Sequence, residues 1–133
     1  MIKNATVFFF FMILSTAFCT AQKSTGIKST TEFTVETKAG KENEIKKSFQ
    51  QFDAKGNVIE EIEFDEFENE KSHVKNEYNS SNQKIKELKL LPNGKADEVT
   101  LYEYDEKGNR ISKTVTDKDG KVKSKKRFVY EYY

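Results

Sequence analysis

The stretch that most limits how this chain can fold is a five-residue turn written twice. "DAKGN" occupies 53–57 and "DEKGN" occupies 105–109, each following an aromatic residue, Phe52 or Tyr104. Asp at the head of such a turn accepts a bond from a backbone N–H two residues on. Gly56 and Gly108 then supply the positive φ that sends the chain back antiparallel, as in a type I turn followed by a G1 bulge. Asp53, Asn57, Asp105 and Asn109 flank those glycines. "DKDGK" at 117–121 is a variant of the device, with Asp117 and Gly120 in the same roles, and "PNGK" at 92–95 offers Asn93-Gly94, a strong short hairpin signal. Turn-forming clusters also stand at 38–43, 65–71 and 79–83.

Runs of strand length fill the intervals, and many alternate. "DEVTLYEY" places Val99 and Leu101 on one face and Thr100, Tyr102 and Tyr104 on the other. "NRISKTV" groups Ile111 with Val115, and "KRFVYEYY" groups Phe128, Tyr130 and Tyr132 as a last strand. Period-2 patterning rich in aromatic and β-branched residues predicts half-buried antiparallel strands. Residues 59–67 and 85–91 also fit a helical stripe, but their shortness between turn signals favours strand. The residues preceding the turns are read as Phe52, Phe64, Tyr78, Leu91, Tyr104 and Thr116, at steps of 12, 14, 13, 13 and 12. The expected fold is all-β: an antiparallel meander of about eight strands built from stacked hairpins. No segment promises the helix that a βαβ crossover needs.

At "FDAKGNVIEEIEF" and "YEYDEKGNRISKTV" the chain resembles YD-repeat proteins, the RHS-like family of bacterial surface and secreted proteins. The shared pattern is Tyr or Phe, Asp, two residues, Gly, then a strand. "YNSSNQK" and "TDKDGKV" are degraded copies. The resemblance implies a stacked hairpin scaffold. It does not imply the family's large enclosing shell, since the repeats here are few.

The N-terminus carries a different message. Lys3, the apolar run Val7–Leu14 and the small residues up to Ala21 have the layout of a secretory signal peptide over 1–21. The run is shorter than the roughly 20 residues a membrane span requires. Cys19 offers a lipid anchor as the minor alternative, disfavoured because bulky Phe18 precedes it. Residues 22–30 then read as a flexible leader to a repeat domain over 31–133, and the predicted compartment is periplasm, cell surface or exterior. The sole Cys falls in the removed part, so no disulfide is expected.

Of 23 Lys and Arg, only Lys3 precedes residue 22, which leaves 22 cations against 22 acids. That balance, with export, argues against nucleic acid as a partner. Residues 60–70 hold seven acids and no base, and 118–127 hold six bases and one acid. Two solvated faces explain these runs, and so would self-association between copies. Lone His73 supports no triad or histidine-rich metal site, and "DKDGK" lacks the acid an EF-hand loop needs at residue 128, which is Phe. No cofactor is expected, and no catalytic residue. The paired glutamates of 60–70 give a carboxylate hydrolase a weak footing. The aromatics Tyr102, Tyr104, Phe128, Tyr130 and Tyr132 are the candidate binding residues. They serve either the sheet's own packing or an exposed platform for a saccharide or an envelope protein.

Overall fold

A computed structural model describes residues 26–133. The proposed signal peptide, Cys19 and the first part of the leader lie outside the described residues. The chain forms one sheet of eight strands in sequence order: β1 (Ser29–Lys38), β2 (Lys41–Phe52), β3 (Val58–Phe64), β4 (Glu70–Tyr78), β5 (Lys84–Leu90), β6 (Ala96–Tyr104), β7 (Arg110–Asp117) and β8 (Val122–Arg127). Every neighbouring pair is antiparallel. Both helix-compatible segments are strands, β3 and β5. Among the described residues no helix is long and apolar enough to cross a membrane. β1 begins within the stretch read as leader, at Ser29.

Six of the seven turns share one geometry. In each five-residue turn the head N–H donates to the fifth residue's carbonyl, and the fourth residue's N–H donates to the head carbonyl. Asp53 N to Asn57 O is 2.9 Å and Gly56 N to Asp53 O is 3.0 Å; Asp105 and Gly108 repeat both distances. The fourth residue always has positive φ: Gly56, Glu68, Asn82, Gly94, Gly108 and Gly120. Aspartate heads clamp the turn further. Asp53 Oδ1 accepts from the backbone of Lys55 (2.8 Å) and Asn57 (2.9 Å), while Asn57 Nδ2 donates to Asp53 Oδ2.

The heads form two series, Asp53–Asn79–Asp105 and Asp65–Leu91–Asp117, each advancing by 26 residues. The strand spacing therefore alternates 12 and 14, and the reading 12, 14, 13, 13, 12 is corrected at one place. Leu91 is a turn head, not the residue before a turn. Asn93-Gly94 is accordingly not a two-residue hairpin loop but the third and fourth positions of the common turn, and Asn93 lacks positive φ. The two-residue loop lies elsewhere, at Ala39-Gly40 between paired Lys38 and Lys41, with φ of 51° and 75°.

A single sheet has no second layer to cover it. Among the described residues no apolar side chain is fully buried; the buried ones are polar, Asn76, Thr100 and Ser112. All three sit on inner strands. In the six pairs from β2–β3 to β7–β8 a register shift of one residue lies beside the turn, for example between Glu103 and Tyr104, whereas β1–β2 shifts in mid-strand, between Glu32 and Phe33; such bulges increase local twist. Cohesion comes from cross-strand pairs, each worth about 0.2–1 kcal/mol, and from a ladder of tyrosines. Tyr78 Oη donates to Val58 O (3.0 Å), Tyr104 Oη to Lys84 O (2.7 Å) and Tyr130 Oη to Arg110 O (2.7 Å). Donors and acceptors both advance by 26 residues. Phe52 holds the preceding place in the series without a hydroxyl.

The last strand is shorter than its alternation predicts. β8 ends at Arg127, and residues 128–133 are not strand. Phe128 N still donates to Ile111 O at 3.0 Å. Its neighbour β7 begins at Arg110, so beyond that point the segment runs out of partner backbone.

Candidate binding site

One face of the sheet gathers side chains from β2 to β7, with the bulge opposite Tyr78 bringing Lys84 to the same side as Glu87. The register sets Gln50 of β2 opposite Glu61 of β3, and Glu61 opposite Val74 of β4. Two residues along, Asn76 lies opposite Glu87 of β5, and Glu87 opposite Thr100 of β6. Gln50, Glu61, Val74, Asn76 and Glu87, together with Tyr78, Tyr104, Lys84 and Arg110, line an open trough of about 1090 Å3. Its chemistry is amide, carboxylate and tyrosine. Gln50 Nε2 donates to Glu61 Oε2 at 2.5 Å, and Lys84 Nζ pairs with Glu87 at 3.1 Å.

Asn76 lies at the floor, 9% exposed. Its Nδ2 donates to Val58 O at 3.0 Å, the same carbonyl that Tyr78 uses. Its Oδ1 is buried without a hydrogen-bond partner, a situation that costs roughly 1–3 kcal/mol. The hydroxyls of Tyr78 and Tyr104 are committed to backbone carbonyls, which fixes their rings as part of the trough wall.

The five aromatics singled out from sequence do not form one row. Tyr104 lines the trough. Tyr102 lies opposite Lys113, with the Arg110 guanidinium 4.5 Å from its ring centroid. Burial raises the Tyr102 pKa, and nearby Glu87 raises it further, while Arg110 opposes. Phe128, Tyr130 and Tyr132 gather around a second hollow, of about 420 Å3, at the β8 end of the sheet. Tyr132 is held by Asn109 Nδ2 at 2.7 Å and by Lys107 Nζ, 3.8 Å from its ring centroid. The turn residues among the predictions occupy the turns described above.

The acidic run of 60–70 does not make one patch, because alternation sends its members to opposite faces. Glu61 belongs to the trough. Glu60 turns the other way and meets His73 Nε2 at 2.7 Å and Lys75 Nζ at 3.4 Å. The bond from His73 holds the Glu60 carboxyl below its ordinary pKa, against the effect of burial and with help from Lys75. Glu70 lies 3.6 Å from His73 Nδ1. Among the described residues no cluster of three or more His, Cys, Asp or Glu is arranged to hold a metal ion.

Gln50, Asn76, Tyr78 and Glu87 were not singled out by sequence reasoning. The signal that finds Tyr78 is the 26-residue step from Phe52 to Tyr104 and Tyr130. The amides carry no such signal, since each is one polar residue on a different strand. No known protein family matches the chain, and no curated protein matches its sequence.

Proposed function

We propose that this chain is an exported, non-enzymatic binding protein of the cell envelope or surface, and that the trough takes a saccharide. The observation that carries the reading is the trough's composition. Two tyrosine rings fixed by their own hydroxyls stand beside carboxamides and carboxylates. Sugars present apolar ring faces and many hydroxyl donors. The rings suit the first, and the carboxylates of Glu61 and Glu87 suit the second. The signal-peptide layout of 1–21 supports export, and the YD-repeat resemblance supports a surface setting. A carboxylate hydrolase is the weaker reading, because the trough is open along its length and does not exclude water.

The test is a glycan array probed with the full chain, followed by calorimetry on any hit. Glu61→Gln removes a charge without shortening the side chain. It is expected to weaken binding about tenfold, equal to about 1.4 kcal/mol, with unchanged melting. An array without hits, or a hit whose affinity Glu61→Gln leaves intact, would refute the proposal.

A further inference from the structure

β8 is the last strand of the sheet, and its outer edge pairs with nothing among the described residues. All six of its residues are exposed. Of its cations, Lys123 is tied to Glu98 at 2.6 Å. Among the described residues no carboxylate forms an ion pair with Lys125, Lys126 or Arg127. On the inner side they lie opposite Thr114, Lys113 and Ser112 of β7.

Beside this edge lies the 420 Å3 hollow, with Ile111, Phe128, Val129 and Tyr130 among its walls. Their exposures of 37%, 38%, 73% and 43% make it a notable apolar patch. Lys125 and Arg127 rim it, and so do Glu103 and Asp105. Both of these acids are already engaged. Glu103 accepts from Ser112 Oγ, and Asp105 accepts from Asn109.

We propose that the outer edge of β8 is a strand-addition site for an extended acidic polypeptide. The segment lies antiparallel to β8 and seats an apolar side chain against Phe128 and Tyr130. The 26-residue unit supplies the template. β8 stands one unit beyond β6, and β6 is paired on the corresponding side by an antiparallel strand, β7. An added strand would use the free backbone groups for affinity and the flanking side chains for selection.

Charge identifies the occupant. Four cations in six residues repel a second β8, which is how lysines protect an open edge from self-pairing. They attract an acidic strand and so discriminate between partners. A second copy's β1 fits poorly. It carries only Glu32 and Glu36; Glu32 is bonded by Ser48 Oγ and Glu36 by Lys38.

The probe is a labelled, end-capped peptide of alternating Glu and Val, read by fluorescence anisotropy against the full chain. Its Lys-Val counterpart is the control. The acidic peptide is expected to bind at least about tenfold tighter than the control, and to weaken as salt is raised. Replacing Lys125 and Arg127 together by Glu should abolish the preference with unchanged melting. A third peptide keeps the acids but is N-methylated at alternate residues, which removes strand pairing and retains charge. Equal binding by that peptide would overturn strand addition. Equal binding by the Lys-Val control, or failure of the acidic peptide to bind, would overturn the site. Glu61→Gln should leave peptide binding unchanged, which separates this edge from the trough.

Discussion

Replacing Gly108 by Ala tests the turn on which the architecture rests. Gly108 has φ of +86°, and a Cβ built there would lie 3.2 Å from Gln83 Nε2. An L-residue held in the left-handed region costs about 1–2 kcal/mol. The stiffer unfolded chain returns about 0.4–1 kcal/mol, so the backbone part is near 1 kcal/mol. Gln83 Nε2 also donates to Gly108 O at 3.2 Å. Displacing it adds about 0.5–1.5 kcal/mol. The total is about 2 kcal/mol, or roughly 1 M in urea midpoint at a typical slope.

Gly94 is the internal control, with φ of +79° and open space around its Cβ position. Gly94→Ala should cost only the backbone part, about half as much. In a Gln83→Ala background the two costs should converge. An unchanged urea midpoint for Gly108→Ala would refute the left-handed turn. A difference that survives in the Gln83→Ala background would refute the side-chain account. Gly108→Val should be worse than Ala, because a branched Cβ tolerates positive φ least.

Two further outcomes follow from the same geometry. Tyr104→Phe removes the donor to Lys84 O and should lower stability by about 0.5–1.5 kcal/mol; an unaltered midpoint would remove Tyr104 from the ladder. Asp105, held by the Asn109 side chain and then by its backbone N–H, has a pKa below the ordinary aspartate value. Its contribution to stability is therefore complete above the unfolded value, about 3.9, and lost as pH falls through the lower folded value. Asp105→Asn, which copies the natural head Asn79, should flatten the acid limb of a stability–pH curve, and an identical limb would count against the clamp.

The strands were legible because turn chemistry is local. Asp, Asn and Gly mark a type I turn with a bulge whatever surrounds it, and the two runs with a competing helical stripe, 59–67 and 85–91, were too short between turns to be helices. The 26-residue period was obscured at Leu91, which heads its turn without an acceptor side chain. Asn93 takes over part of that duty, with Oδ1 accepting from Lys95 N at 3.0 Å. The excess length given to the last strand came from alternation alone, which cannot see that β7 starts at Arg110. The trough was the least legible part. Its members come from several strands, and only pairing register brings Gln50, Glu61, Asn76 and Glu87 to one face. The aromatic list found the right residue type at Tyr104 and Tyr130. It did not anticipate that their hydroxyls hold the sheet, a role visible only across 20 residues of sequence.

Backbone pairing joins each strand only to its neighbours in sequence. Such a chain behaves as a linear array, in which stability is a sum of unit and interface contributions. Tension applied between the chain ends would load one hairpin at a time, so the sheet should peel from an edge instead of shearing at once. Each released 26-residue unit would supply roughly 86–94 Å of extended chain, taking about 3.3–3.6 Å per extended residue. A tether with that behaviour yields in steps and re-zips through local contacts alone, which closes loops at little entropic cost.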